Sequence, residues 1–481
     1  VHRLSPIDLS FLVGDTRETP MHVGGLYVHT FPEGVDERAY LADLVDLLKN
    51  VDTYRVPFGH RLDKMGLHWI EDDELDPDYH VRHSALAKPG TERELFQLAA
   101  RLHQTLLDRH RPLWEVYVIE GLTDRRFAVY AKVHHATIDG VGALRLLRSI
   151  LSHDPDERRP FSPLSEEARQ FARAQRPPRA KPSTAEVRTV AEAMRETFGA
   201  GRHVLKSLGQ YVDALWHPER HAMRAAWAEV PHTSFTTKVT GARRMVGTSV
   251  SFPRVRRLAR AFGGTVNDTV LTLGGSALRR YLLERSELPD KPLTAMTPVN
   301  LRPRDAADEL EGQETGNSVG MLMATLGTHL ADPAERFRAV KASMDEGKAL
   351  ARQLSRAEMM LFTEITQVPP LVAGLLGFGH HVPAYSTVIS NLPGPEGPIY
   401  WNGARLEAMY PMSAIFHGFG LNMTLITHDD RMDFGLVACR ETVPEVERIA
   451  GALGESLAEL EEAAGLPPMA DGEEPVLSTR P

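Results

Sequence analysis

The chain has 481 residues, of which 42% are hydrophobic and 25% charged, and a formal net charge of −9. That length leaves room for two or three domains at roughly 150 residues each, and the net acidity excludes a general nucleic-acid binder. The single cysteine, Cys439, excludes an intrachain disulfide and a cysteine-rich zinc framework, and points to a reducing, cytoplasmic compartment.

No secretory leader is expected, because "VHRLSPIDLSFLVGD" carries polar and acidic residues where a leader would be apolar. Residues 22–31, "HVGGLYVHTF", read as a strand. Residues 36–50 read as a helix with Tyr40, Leu41, Leu44, Leu47 and Leu48 in one stripe, and 91–107 as another. Alternation predicts strands over 113–122 and 126–135, and the "GLTDRR" between them predicts a hairpin. Six prolines and seven basic residues in 154–182 mark a connector, followed by a helical stretch with an amphipathic "VLKSLGQYVDALW" at 204–216. Strands are expected again at 244–252, 293–301 and 316–326, with a hairpin over 421–438 turning at "HDDR". Helices are expected at 266–285 and 445–464. Cys439 reads as a packed small hydrophobe at a strand end. The richest apolar run, "PPLVAGLLGFG" at 369–379, is too short to span a bilayer, so any membrane contact would be peripheral.

This pattern divides the chain into an N-terminal domain at 1–153, a connector at 154–232, a C-terminal domain at 233–465 and a disordered tail at 466–481. The simplest architecture is two mixed α/β domains facing each other with a site between them.

The chemistry concentrates in "AKVHHATIDGVGALRLL" at 131–147. Three readings compete: a metal site, a satisfied pair of core histidines and a catalytic base. Adjacent histidines on a strand point to opposite faces, which argues against one shared ion. The pair ends the strand "FAVYAKV" and precedes a helical run with Ile138, Leu144, Leu147 and Leu151 on one face, and strand ends at domain interfaces often display catalytic groups. Histidine is suited to general-base work near neutral pH. Asp139 could orient a ring or lock the turn through an arginine, and Gly140 relieves the backbone. No G-x-S-x-G elbow, P-loop or dinucleotide fingerprint is present. A base without a protein nucleophile suggests direct transfer, in which a bound hydroxyl or amine attacks an activated acyl group.

"HHATIDG" matches the HHxxxDG motif of the CoA-dependent acyltransferase superfamily. Together with "LSPIDLSFL", "TPMHVGGL", "RPLWEVYVIEGL", "VNDTVLTLGGSALRRYL", "MTPVNLRP", "GNSVGMLMATL" and "STVISNLPGP", it makes the chain resemble the bacterial wax ester synthase/diacylglycerol acyltransferase family from about residue 4 to 465. The resemblance implies an α/β sandwich of two chloramphenicol acetyltransferase-like domains with a tunnel through their interface. It implies that acyl-CoA, as co-substrate with no cofactor, and diacylglycerol or a fatty alcohol enter from opposite sides. It also implies His135 as general base, His134 as its support and Asp139 in a structural salt bridge, with Arg302 as a candidate partner. Asn267, of the matching ND motif, is the candidate oxyanion donor because a helix N-terminus favours negative charge, and the same position suits an ordinary helix cap. Asp268 is assigned to the cap. Pro112, Leu113 and Trp114 match the PLW motif and either line a channel or pack the motif strand. Gly140, Ser390 and Asn391 are further substrate-binding candidates, and "SNLPGP" reads as a turn. The expected setting is cytoplasmic, peripheral to the inner membrane or lipid droplets. Two alternatives are carried: a condensation-type enzyme using carrier-protein thioesters, and a non-catalytic lipid-binding protein of the same fold.

Overall fold

The computed structural model describes residues 2–4, 6–138, 140–174, 230–299, 320–352, 373, 377–381 and 383–467. Asp139, Arg302, most of the connector (including 204–216), most of the 369–379 run and residues 468–481 lie outside the described residues.

Two six-stranded mixed sheets carry the fold. The first runs β12 (Tyr400–Trp401), β13 (Ala404–Met412), β2 (His22–Thr30), β7 (Arg126–His134), β6 (Trp114–Leu122) and β5 (Val81–Ala85). The second runs β10 (Gly320–Thr325), β9 (Thr294–Val299), β11 (Thr387–Pro393), β14 (Leu421–His428), β15 (Arg431–Cys439) and β8 (Arg243–Ser251). A small third sheet joins β1 (His2–Arg3), β4 (His68–Glu71) and β3 (His60–Leu62).

Both expected hairpins form. β6 and β7 pair antiparallel, their turn passing through Asp124 and Arg125 at φ 61° and 53°, and β14 and β15 pair antiparallel around Asp429 and Asp430. Cys439 is buried at the end of β15. Two features depart from the local sequence signals. Ser390–Pro393 belong to β11 instead of a turn. β11 lies inside the second sheet, parallel to both β9 and β14, which supply its hydrogen bonds, and Pro393 is its last residue, where a missing donor matters least. The first sheet, in addition, is completed from the far end of the chain, since β13 pairs antiparallel with β2.

Helices cover the outer faces. Glu37–Lys49 and Gly140–Ile150 bury Leu41, Leu44, Leu48, Leu144 and Ile150 against Val116, Val118, Phe127 and Val129 of the first sheet. Val266–Glu284, Pro333–Arg352 and Val446–Ala463 do the same for the second. Two of the helix starts in the N-terminal half show their caps: Asp36 accepts the Ala39 N–H at 2.8 Å, and Thr91 and Glu94 form a reciprocal box.

A third apolar cluster lies between the sheets. It joins Leu26, Val28, Tyr117, Ala128, Tyr130, Tyr410 and Met412 of the first to Met245, Val388 and Val437 of the second. Gly247 and Gly435, paired across β8 and β15, form the floor of this contact. A Cβ on Gly435 would fall 1.9 Å from the Pro411 carbonyl oxygen, and one on Gly247 would fall 2.4 Å from Phe96. Only glycine lets β13 and the Glu92–His103 helix approach the second sheet this closely.

Candidate active site

The strand β7 delivers the histidine pair to one end of the first sheet. Its register puts His134 opposite His22, and the His134 N–H donates to the Leu113 carbonyl at 2.9 Å. His135 leaves the strand, yet its N–H still reaches the Met21 carbonyl at 2.9 Å. The chain then turns, with the Thr137 N–H on the His134 carbonyl at 2.9 Å, and enters the Gly140–Ile150 helix.

The two rings take different surroundings, as strand alternation requires. His134 is almost fully buried. Its Nδ1 accepts the Ala136 N–H at 3.1 Å, which leaves the ring proton on Nε2, 3.8 Å from Asp15 Oδ2. Burial, reinforced by the neighbouring His135 and the Arg109 charge, pushes its pKa down to about 3. His134 is therefore neutral across the working range. His135 is only partly buried and stacks on Phe11, ring centroids 4.2 Å apart and planes 16° apart.

Asp15, in the loop after the Pro6–Gly14 helix, is a site residue with no sequence-level signal. Burial raises its pKa, opposed by the Met21 N–H bond at 2.9 Å and by Arg109, whose guanidinium lies 3.3 Å from Oδ2. Below it runs a buried polar layer. His22 bonds the His103 carbonyl, His103 bonds Tyr130 Oη at 2.7 Å, and the fully buried Lys132 pairs with Glu115 at 2.9 Å.

The PLW residues brace this strand end. Leu113 supplies the carbonyl under His134 and packs with Ala136, Leu12 and Leu107. Trp114 is 1% exposed, donates its indole N–H to the Phe58 carbonyl at 2.8 Å and stacks on His80 at 4.3 Å. Pro112 is buried beside them, and its carbonyl accepts the Trp114 N–H at 2.9 Å.

The second sheet meets the site through β11. A Cβ on Gly140 would sit 3.6 Å from both methyls of Leu392. Alternation puts Ser390 on the same face as Leu392 and Val388, toward the first sheet. It turns Asn391 the other way with Ile389, toward the Val266–Glu284 helix, where Gly274 abuts Ile389. Asn267 is the second residue of that helix and is half-buried. The cap is Thr265, and Asp268 returns its carboxylate to the Thr265 N–H at 2.8 Å to close a capping box, with Lys348 3.5 Å away.

The wax ester synthase/diacylglycerol acyltransferase catalytic-domain signature matches residues 4–270, and the C-terminal-domain signature of the same family matches 315–461. The chain belongs to this family. A probable diacylglycerol O-acyltransferase of Mycobacterium tuberculosis is 39% identical over 469 residues, covering 96% of this chain and 99% of the relative. The O-acyltransferase WSD of Acinetobacter baylyi is 34% identical, covering 94% and 96%. Among solved structures, the wax ester synthase/diacylglycerol acyltransferase of Marinobacter aquaeolei VT8 is 36% identical with a TM-score of 0.75, covering 97% of this chain and 100% of that one. The first condensation domain of the CDA synthetase, 17% identical at a TM-score of 0.54, shares the fold.

This wax ester synthase/diacylglycerol acyltransferase family member is an acyltransferase of the two-domain, condensation-domain type of fold. At the end of its HHxxxDG motif, Gly140 meets Leu392 of β11 in the second sheet. The turn joins His134, His135, Leu113 and Gly140, while Ser390, Asn391 and Asn267 belong to the layers of the second sheet.

Proposed function

We propose that the chain moves a fatty acyl group from acyl-CoA to diacylglycerol or a long-chain alcohol, giving triacylglycerol or wax ester and free CoA. His135 removes the acceptor hydroxyl proton as that oxygen attacks the thioester carbonyl carbon. The tetrahedral intermediate collapses, the C–S bond breaks, and the imidazolium returns the proton to the CoA thiolate. The observation that carries this reading is the contrast between the two rings: burial holds His134 at about 3, too acidic to accept a proton near neutrality, whereas His135 is only partly buried, at the turn where β7 ends. Asn267 and the amides of its helix start are the proposed oxyanion donors. Ser390, on the face of β11 turned toward the first sheet, and Gly140 are assigned to the substrate path, and the PLW residues to holding it open. No cofactor enters the scheme.

An acceptor panel tests it. With palmitoyl-CoA as donor, CoA thiol release should depend on added diolein or hexadecanol. Turnover with an acyl-carrier protein thioester and none with acyl-CoA would favour a condensation-type enzyme, and lipid binding without CoA release under any acceptor would favour a non-catalytic protein.

Both acceptors are apolar, so we further place the chain at a cytoplasmic lipid surface, the inner membrane or a droplet. Among the described residues no helix is long and apolar enough to cross a membrane. The support is a set of exposed side chains that are chain neighbours of members of the small cluster that includes Ala136 of the motif turn: Val13 follows Leu12, Met65 and Leu67 lie between Leu62 and Trp69, and Leu106 precedes Leu107. Val13 is 73% exposed, Met65 78%, and Leu67 and Leu106 37% each. Exposed apolar side chains gathered on one face are the kind of surface that meets a membrane. The double variant Val13→Asp/Met65→Asp should cosediment less with dioleoylphosphatidylcholine vesicles carrying diolein. Unchanged binding would move the lipid contact elsewhere.

A further inference from the structure

We propose that Asp15 is a positioning residue for acyl transfer, the carboxylate that fixes the histidine pair from the N-terminal segment. The inference rests on the assignment of His135 as base.

Each carboxylate oxygen of Asp15 lies on the path to one histidine, Oδ1 through the Met21 main chain and Oδ2 beside the His134 ring. Oδ1 accepts the Met21 N–H at 2.9 Å, and the Met21 carbonyl in turn accepts the His135 N–H at 2.9 Å. Oδ2 lies 3.8 Å from His134 Nε2, the atom that carries the ring proton once Nδ1 is occupied by Ala136. One side chain thus sets the main chain under the base and faces the ring beside it.

The segment around Asp15 is tied down as a unit. Arg109 lies 3.3 Å from Oδ2 and donates to the carbonyls of Leu12 at 2.6 Å and Asp15 at 3.1 Å. Phe11, one turn back on the same segment, stacks on the His135 ring. Asp15 and His134 side chains are 3% and 1% exposed. A carboxylate buried this far is tolerated only where partners hold it, and these partners are the Met21 amide that underlies His135 and the Arg109 guanidinium, with the His134 ring facing it. Reactivity depends steeply on such placement, since a displacement of about 1 Å can cost on the order of 10²-fold in rate.

A mutant cycle with His135 tests the assignment. Asp15→Ala should lower kcat by about 10- to 100-fold with KM for acyl-CoA nearly unchanged. Asp15→Asn keeps an acceptor for the Met21 N–H and should recover much of that loss. In a His135→Ala background, Asp15→Ala should change the residual rate no further, because a residue acting through the base has nothing left to act on. If the alanine variant does not fold, the asparagine variant carries the same cycle: a smaller loss alone and none in the His135→Ala background. Wild-type turnover in both Asp15 variants, or losses that multiply with that of His135→Ala, would overturn the inference while leaving the base in place. Wild-type turnover in His135→Ala itself would remove the base and this inference together.

Discussion

Replacing His135 with alanine should slow acyl transfer by roughly 10²–10⁴-fold, the usual contribution of a general base, while the protein still folds. The ring is only partly buried and sits in a turn, and the bond from the His135 N–H to the Met21 carbonyl survives the change. His134→Ala should behave in the opposite way. It removes a buried ring that accepts the Ala136 N–H, so it should lower stability by about 2 kcal/mol or more and affect turnover chiefly through that loss. Thiol release from palmitoyl-CoA, read beside a denaturant melt of each variant, separates the two. A His135→Ala enzyme with unchanged turnover would sink the proposed mechanism. A His134→Ala enzyme that is stable but inactive would show that the two rings share the chemistry.

Local pattern was enough for the parts of the fold that are built locally. The β6–β7 and β14–β15 hairpins announce themselves by alternation around a turn, and the amphipathic helices by their spacing. What depends on distant partners was hidden. β11 carries Ser-Asn-Leu-Pro, a turn-like run, and is a strand because β9 and β14 flank it. β13 joins the first sheet through β2, more than 370 positions earlier, and nothing in "ARLEAMYPM" reports that choice. The same holds at the site. The His-His pair and the Asp-Gly turn are contiguous and legible. Asp15 is one acidic residue among 64 Asp and Glu, and its meaning comes from Arg109, 94 positions away, and from a histidine farther still. The Thr265/Asp268 box lies between these cases, since its T-x-x-D spacing is local but the neighbouring Asn267 competes for the same cap in a sequence reading.

The buried histidines make a second, larger prediction: stability should collapse on mild acidification. Burial is the first cause of the depressed pKa at His22, His29, His103 and His134. It holds the last three at about 3 and His22 well below its ordinary value of 6.5. The native state keeps these rings neutral, while the unfolded chain protonates them as pH drops below 6.5. Their stabilising contribution is thus present above that value and is lost progressively as pH falls toward about 3. Between about pH 7 and about pH 5 each ring held at about 3 costs about 2 kcal/mol, and His29, His103 and His134 together roughly 6 kcal/mol, comparable to the whole stability of many domains, with His22 acting in the same direction. Asp15, whose carboxyl is raised by burial, opposes this slightly. The denaturant midpoint should therefore fall steeply across that interval, and a flat midpoint would overturn the assignment of these rings as neutral. His29 isolates one term. It packs on Phe127 at 5.1 Å and near Trp401, and among the described residues neither of its ring nitrogens has a hydrogen-bond partner. His29→Phe keeps the stack, removes two unsatisfied polar atoms and deletes one titrating group. It should stabilise the protein at neutral pH and stabilise it further, by about 2 kcal/mol, near pH 5. Equal effects at both pH values would mean that His29 is protonated in the folded protein after all.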